Sequence, residues 1–235
     1  MNKQDLDTSQ LGSIVIAIDG PAASGKTTTA KNLASALGLT YIDTGAMYRS
    51  VTLHALRRGI DVDDADAVAD AARQIDIAFK NIGGENHTML NGEDVSLDIR
   101  TPEVTRHVSK IAAYKDVRLA MVTHQIELGG RGGVVAEGRD TTTVVFPDAD
   151  IKVFLTATVE ERAKRRQMDM EALGIETSLQ QQIEDINRRD SADSTREHSP
   201  LRKAHDAVEI DTTNLSIDEQ IDRIVDLVRD KLSNQ

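Results

Sequence analysis

Hydrophobic and polar positions along the chain form two kinds of segment. Short, continuous, β-branched apolar stretches predict buried strands, and longer stretches with apolar residues at helical spacing predict helices. Strands are predicted over 13–19, 40–43, 133–137, 151–155 and 208–211. Helices are predicted over 26–37, 45–58, 159–173, 179–193 and 216–232, and a further helical segment over 102–128 is interrupted near Tyr114. Strands and helices that follow each other in this order favour an α/β protein with a parallel sheet.

The middle of the chain has a different pattern. A predicted helix over 63–74 precedes short predicted strands over 75–80, 87–90 and 93–97, which Gly83-Gly84 and Asn91-Gly92 separate. Asn-Gly is a strong β-hairpin signal because both residues tolerate positive φ angles. We therefore predict a small antiparallel insert over 61–100. The remaining predicted parts are a flexible tail over 1–12 and a core domain over 13–60 and 101–235.

Composition and charge exclude several classes of protein. The 235 residues contain no cysteine, which excludes disulfide scaffolds, Cys-ligated zinc and thiol catalysis. The net charge of −11 disfavours a nucleic-acid partner. The longest strongly apolar run, over 14–18, is far shorter than the ~20 residues that span a bilayer, and the start of the chain lacks the apolar stretch of a secretory signal. We expect a cytoplasmic protein without a membrane partner, and its size and acidic surface favour a monomer.

The segment between the first strand and the first helix fits the pattern G-x-x-x-x-G-K-S/T. Phosphate binding needs several backbone N–H groups directed at one point, and a glycine-rich turn before a helix N-terminus provides them. Lys26 can reach the β- and γ-phosphates of a nucleotide, and the Thr27 hydroxyl can ligate Mg²⁺. The residues predicted to bind ATP here are Gly20, Pro21, Ala22, Ala23, Ser24, Gly25, Lys26, Thr27 and Thr28.

A phosphate loop does not identify the phosphoryl acceptor, because GTPases, ATPase motors and small-molecule kinases share it. No Asn-Lys-x-Asp base reader of the GTPase type follows the phosphate loop, since the one segment with that pattern, Asn2-Lys3-Gln4-Asp5, lies in the tail before it, and a motor is usually longer. A small kinase remains, and it needs a second anion site opposite the loop. The candidates for that site follow predicted strands or share one helix face: Thr44, Arg49, Arg139, Asp140, Arg189, Asp193 and Arg196.

Together these segments resemble the cytidylate kinase family of P-loop nucleoside-monophosphate kinases. The resemblance covers nearly the whole chain after the tail, and its most specific segments are 18–26, 43–49, 138–140, 143–149, 189–196 and 210–213. The chain departs from the family at Thr141-Thr142, where the family usually has Gly in second place, often as Ile-Gly. A β-branched Thr would be strained there if the position needs a positive φ angle.

The resemblance implies a fold and a role for each candidate residue. The fold is a three-layer α/β/α P-loop kinase with a parallel central sheet, a lid helix region at about 158–196 and an enlarged antiparallel insert that binds the monophosphate. The residues implied to bind CMP are Ser109, Arg118 and Asp140 at the cytosine, Arg49, Arg139 and Arg196 at the phosphate, Arg189 and Asp193 at the ribose, and also Thr44. The lid arginines that cover ATP are Arg162, Arg165 and Arg166, and the catalytic set is Lys26, Arg139, Arg165 and Arg196.

The implied reaction is transfer of the ATP γ-phosphoryl to CMP or dCMP, with Mg²⁺ as cofactor. Chemistry supports this choice, since a carboxylate can accept from the cytosine amine and an arginine can donate to the ring acceptors. The acceptor phosphate has a second pKa of about 6, so it is largely anionic at neutral pH and needs no general base. Two alternatives stay open: another small P-loop kinase of the UMP/CMP type or acting on AMP or shikimate, and a catalytically silent nucleotide-binding module.

Overall fold

The computed structural model describes residues 11–172 and 174–233, so the predicted tail lies outside the described residues except for Leu11 and Gly12. The chain divides into two compact units, 1–40 with 132–235 and 41–131. We call these the first and the second unit. The predicted insert over 61–100 lies within the second unit. Its role in binding the monophosphate stays a prediction.

The strands in chain order are β1 (Val15–Asp19), β2 (Thr40–Asp43), β3 (Ile77–Ile82), β4 (Glu85–Leu90), β5 (Glu93–Asp94), β6 (Val134–Gly138), β7 (Ile151–Thr156) and β8 (Val208–Asp211). The helices are α1 (Lys26–Leu37), α2 (Thr44–Arg57), α3 (Ala65–Gln74), α4 (Pro102–Ile111), α5 (Lys115–Gly129), α6 (Val159–Ala172), α7 (Leu179–Thr195) and α8 (Ile217–Ser233). A π-helical turn covers Thr141–Val145.

The first unit is built on a parallel sheet in which β6, β1, β7 and β8 lie side by side in this order. Thr40, the residue of β2 that belongs to this unit, donates its N–H to the Gly133 carbonyl over 2.8 Å. The central strand β1 pairs in parallel with both β6 and β7, and Asp19 lies level with Gly138 and with Phe154. The carboxyl ends of these three strands therefore meet at one edge, where ligands bind in α/β sheets.

The central strands of this sheet are fully buried, which explains their continuous apolar sequence. Ile16, Ile18 and Val135 have no exposed surface. Helices α1 and α8 cover the sheet, with α1 packed on β6 and α8 packed on β7. Strands covered by helices are shielded from water, so their residues need not alternate between apolar and polar.

In the second unit, three helices pack with helix α2. Asp43 caps the N-terminus of α2 by accepting from the Ala46 N–H over 2.8 Å. The buried side chains of α2, including Met47 and Val51, pack with those of α3, α4 and α5 in one apolar core. An antiparallel sheet of β3, β4 and β5 belongs to the same unit, and the turn between β4 and β5 is the predicted Asn91-Gly92 pair with φ angles of 51° and 85°.

The predicted fold class is confirmed: a central parallel sheet flanked by helices, with a small antiparallel sheet. The predicted third strand of the insert, over 93–97, is too long, since β5 ends at Asp94. The reason is local, because the Asp94 carboxylate accepts from both the N–H and the hydroxyl of Ser96 and so bends the chain. The first strand begins at Val15 rather than at 13, because the Ile14 N–H donates to the Leu11 carbonyl in a turn.

Within residues 11–172 and 174–233, no helix has both the length and the apolar composition that crossing a lipid bilayer requires. The cytoplasmic location and the monomeric state stay predictions from the sequence.

Candidate active site

The phosphate loop joins β1 to α1 and has a backbone that requires glycine. Gly20 has a φ angle of 154°, and a Cβ atom there would lie 2.0 Å from the Leu155 carbonyl oxygen. Gly25 adopts a φ angle of 92° as the residue that caps α1. Only glycine takes such conformations without strain. The loop therefore curls back at the N-terminus of α1, where the helix dipole favours a phosphate.

Lys26 lies across this loop. Its ammonium group donates to the Pro21 carbonyl over 2.7 Å and to the Ser24 hydroxyl over 3.3 Å. Burial of the side chain, together with the nearby positive charge of Arg139, lowers the pKa of Lys26 to about 7. The negative charge of bound phosphates would raise that pKa again, so the loop is suited to an anion.

A cluster of arginine and aspartate side chains lies at the same edge of the sheet. Arg139 directly follows β6, and its Nε donates to Asp193 Oδ2 on α7 over 2.8 Å. Burial opposes the charged form of Asp193, but the charge and hydrogen bond of Arg139 hold the pKa of this carboxyl below its usual value. Arg196 and Asp140 form a second pair, with 3.6 Å between Nη2 and Oδ1 and both side chains almost fully buried.

Arg189 adds a third guanidinium to the cluster. Burial, and then repulsion from Arg139, lowers the pKa of Arg189 to about 10. Its Nε atom is buried and has no hydrogen-bond acceptor among residues 11–172 and 174–233. Three guanidinium groups therefore lie beside the carboxylates of Asp140 and Asp193, while Glu137 and Asp190 are also close enough to act on Arg139. Guanidinium groups concentrated at one edge of the sheet fit an anionic ligand.

The predicted lid arginines are anchored next to the phosphate loop. Arg162 Nη1 donates to the Ala22 carbonyl over 3.1 Å. Arg165 donates to the Thr212 hydroxyl over 3.0 Å and to the Thr212 carbonyl over 2.6 Å. The Thr212 hydroxyl in turn donates to the Ser24 carbonyl over 3.0 Å. Helix α6 is thus linked to the loop directly and through Thr212, while Arg166 on the same helix is half-buried.

Asp190 is a contact residue that the sequence analysis did not assign. Its Oδ1 accepts from the Ala22 N–H over 3.3 Å, and its Oδ2 accepts from Arg162 Nη1 over 2.5 Å. The sequence signal was its position next to Arg189, because neighbouring residues of a helix point in different directions and can serve different groups. Asp190 therefore holds both the loop backbone and Arg162.

The remaining predicted residues lie in the second unit. Arg49 Nη1 on α2 donates to the Thr105 hydroxyl over 2.9 Å and to the Ile99 carbonyl over 3.1 Å. Arg118 Nη1 on α5 donates to the Ala112 carbonyl over 3.0 Å, and its guanidinium lies 5.1 Å from the centre of the Tyr48 ring. These contacts fix the direction of both guanidinium groups. Thr44 is buried at the start of α2, and Ser109 is half-buried on α4.

A Mg²⁺ ion carried by nucleotide phosphates fits the first turn of α1. Thr27 is exposed there, directly after Lys26, and a hydroxyl oxygen is a hard ligand of the kind that Mg²⁺ accepts. Over the part of the chain that the structure describes, no group of three or more His, Asp or Glu side chains could hold a metal by itself. The phosphates would therefore supply most of the ligands, as is usual for this ion.

The fold and this site define a P-loop kinase, and comparison with known proteins agrees. The shikimate kinase of Acinetobacter baumannii, solved with shikimate, superposes with a TM-score of 0.50 over 97% of this chain and 98% of that chain, at 16% sequence identity. An uncharacterized protein from Eubacterium ventriosum gives a TM-score of 0.51 over 92% and 99%, at 14% identity. At these identities the likeness shows the fold alone.

The sequence comparisons identify the family. The family model for cytidylate kinase matches residues 16–230. The cytidylate kinase of Lactobacillus johnsonii is 48% identical over 219 residues, which are 93% of this chain and 95% of that protein. The cytidylate kinase of Bacillus cereus is 49% identical over 217 residues, which are 92% and 96%. The chain belongs to the cytidylate kinase family, and it is a nucleoside-monophosphate kinase.

The buried position of Lys26 predicts a pH-dependent stability. Because the pKa of Lys26 is about 7 in the folded protein and 10.5 ordinarily, the unfolded chain binds more protons at this site between these pH values. The free energy of unfolding contributed by Lys26 therefore rises with pH across this window. In urea unfolding, the free energy of unfolding of wild type should increase from pH 7 to pH 9 by on the order of 1–2 kcal/mol more than that of Lys26→Met.

Lys31→Met is the matched control for that measurement, since Lys31 is a half-buried lysine of the same helix outside the loop. The change found for Lys26→Met between the two pH values is measured against the change found for Lys31→Met. Equal differences for Lys26→Met at both pH values would contradict the buried, neutralised state of Lys26.

The contacts of Asp190 predict a selective effect on ATP. Asp190→Ala removes the acceptor for the Ala22 N–H and leaves the buried Arg162 without its carboxylate, so the loop loses its anchor. We expect the KM for ATP to rise about tenfold in steady-state kinetics, which corresponds to ~1.4 kcal/mol, with a smaller change in the KM for CMP.

Asp185→Ala serves as the control on the same helix, because Asp185 forms an exposed pair with Arg188. Such exposed pairs contribute little, so its kinetics should match wild type. Equal effects of the two substitutions would refute the assignment of Asp190.

Proposed function

We propose that this chain transfers the γ-phosphoryl group of ATP to CMP or dCMP. One observation carries the proposal. The phosphate loop begins directly after Asp19 and Arg139 follows Gly138, and these two strand ends are paired with each other in the sheet. A phosphate cradle and an arginine cluster therefore begin at neighbouring points of one sheet edge, as phosphoryl transfer between two anions requires.

The phosphate loop is the proposed ATP site. Backbone N–H groups at the start of α1 and the Lys26 ammonium would bind the β- and γ-phosphates, and Arg162 and Arg165 would bind ATP from α6. Thr27 would hold Mg²⁺, which offsets phosphate charge when bound. Thr28 follows in the same exposed turn.

The arginine cluster is the proposed site for the acceptor phosphate and ribose. Arg139 and Arg196 are the proposed phosphate ligands of the first unit, and Arg49 is the proposed one of the second. Guanidinium groups suit this task because they stay charged and present several N–H donors in a fixed plane. For the ribose we propose Arg189 and Asp193. Arg139 stabilises the charged form of Asp193.

Asp140 and Arg118 are the proposed cytosine readers, with Ser109. Cytosine offers an amine donor beside two ring acceptors, so a carboxylate and a guanidinium complement it. Uracil has an oxygen in place of that amine. A buried carboxylate opposite that oxygen would lose its donor, which costs several kcal/mol.

The transfer itself needs orientation and charge compensation rather than a dedicated base. A phosphate oxygen of the acceptor attacks the γ-phosphorus, and the bond to the β-phosphate oxygen breaks. Lys26 and Arg139 would compensate the negative charge that spreads over the transferring group, and Arg165 and Arg196 would take part in the same way. Closure of the α6 region over ATP would exclude water and so limit hydrolysis.

Replacing Asp140 should change base preference. In Asp140→Asn the side chain presents an amide, which can donate to the uracil oxygen as well as accept from the cytosine amine. ADP release measured with CMP, dCMP, UMP and AMP should show kcat/KM for CMP at least about tenfold lower and a smaller preference for CMP over UMP.

Asp148→Asn is the control, because Asp148 is exposed and lies in the same segment of the chain. It should leave kcat/KM for all four substrates unchanged. An unaltered CMP/UMP ratio in Asp140→Asn would count against Asp140 as a base reader. Absence of ADP release from wild type with every monophosphate would exclude the proposed reaction.

A further inference from the structure

The carboxylate of Asp19 is completely buried and accepts four hydrogen bonds. Its Oδ1 accepts from the N–H of Thr141 over 2.9 Å and from the hydroxyl of the same residue over 2.6 Å. Its Oδ2 accepts from the N–H and the hydroxyl of Thr142 over 2.7 Å and 2.6 Å. Each oxygen is thus bound by both donors of one threonine.

This arrangement explains how a carboxylate can lie at the end of a core strand. A buried carboxylate is costly unless donors replace the water that it loses. Burial does raise the pKa of Asp19, while the four bonds from Thr141 and Thr142 work in the opposite direction. The short distances to both hydroxyls are typical of bonds to a charged acceptor.

The clamp formed by Asp19, Thr141 and Thr142 connects two functional segments. Asp19 directly precedes Gly20, the first residue of the phosphate loop, and Thr141 directly follows Arg139 and Asp140. The β1–β6 ladder ends where Asp19 pairs with Gly138. Beyond that point the clamp ties the chain that carries Arg139 and Asp140 back to β1.

Thr142 gives the clamp a donor that glycine could not supply. Glycine, which the resemblance places at this position, offers only a backbone N–H, and the threonine hydroxyl adds a second donor to Oδ2. The strain considered from the sequence does not arise, because neither Thr141 nor Thr142 has a positive φ angle. The π-helical turn accommodates both β-branched residues with their side chains buried.

We propose that Asp19 is a positioning residue that, through the hydroxyls of Thr141 and Thr142, fixes Arg139 and Asp140 relative to the phosphate loop. The inference rests on the proposed roles of Arg139 and Asp140 toward CMP. Asp19 itself directly precedes the loop, and its effect is transmitted through the backbone of residues 139–142. Loosening the clamp therefore affects the acceptor more than ATP.

The test compares two substitutions of Thr142. Thr142→Ala removes the hydroxyl donor, and Thr142→Ser retains it. Steady-state kinetics should give a KM for CMP about tenfold higher for Thr142→Ala, with the KM for ATP within about twofold of wild type. Thr142→Ser should stay within about twofold of wild type for both substrates. A merely structural role would not separate the two KM values.

A double-mutant cycle tests whether the Thr142 hydroxyl acts through Asp19. Asp19→Asn replaces one acceptor oxygen by an amide donor, so it should raise the KM for CMP as well. In the Asp19→Asn background, Thr142→Ala should add less than about threefold, because the bond is already impaired. If the KM increase of the double variant equals the product of the two single increases, the side chains do not act together.

Thr52→Ala controls for the loss of a buried hydroxyl elsewhere. Thr52 is fully buried, and its hydroxyl donates to the Tyr48 carbonyl within α2. Its thermal unfolding temperature should fall while its CMP kinetics stay near those of wild type. If Thr142→Ala behaves in the same way, or if Thr142→Ser is as impaired as Thr142→Ala, the clamp has no positioning role.

The outcome separates the two levels of the proposal. Unchanged CMP kinetics in both Arg139→Ala and Asp140→Asn would overturn their proposed roles and, with them, the clamp. Impaired CMP kinetics in those variants with an unaffected Thr142→Ala would overturn the clamp alone.

Discussion

The structure depends on holding several positive charges close together with little water around them. Lys26 is buried and Arg139 and Arg189 are half-buried near one edge of the parallel sheet, and burial with mutual repulsion lowers the pKa of Lys26 and of Arg189. Asp193 offsets part of this charge through its hydrogen bond to Arg139. Cationic groups concentrated at one edge of the sheet are what a kinase needs to bring two phosphorylated nucleotides into line.

The surrounding contacts keep this charge cluster in place. Asp190 ties Arg162 to the loop backbone, and Thr212 connects Arg165 to the Ser24 carbonyl. Directly before the loop, Asp19 is bound to the turn that follows Asp140. The loop is therefore joined to α6, to α7 and to the segment after β6. Such connections let a small cradle hold its shape while anions enter and leave.

The fold was largely predictable from the sequence because its signals are local. The continuous apolar strands and the Asn91-Gly92 turn each determine the conformation of their own segment. The phosphate loop was predictable for the same reason, since Gly20 and Gly25 adopt conformations that other residues avoid. The end of β5 was misjudged because a side-chain bond between Asp94 and Ser96 overrides strand propensity.

The roles of Asp190, Thr212 and Asp19 could not be predicted in this way. Each acts through partners distant in sequence, such as Ala22 for Asp190 and Thr142 for Asp19, and no spacing rule connects these positions. The resemblance implied roles for residues that bind ligands. It implied none for the residues that hold those ligand-binding residues in place. The departure at Thr141-Thr142 raised a question of backbone strain, and the structure instead places both hydroxyls on a buried carboxylate.

Calorimetric titration of ATP into the protein at pH 8, in two buffers of different ionisation enthalpy, tests the central claim most directly. A Lys26 that is largely neutral in the free protein must take up a proton when phosphates surround it. We predict a net uptake of more than about half a proton per ATP bound, which Lys26→Met should lack. Binding of ATP without proton uptake would contradict the account.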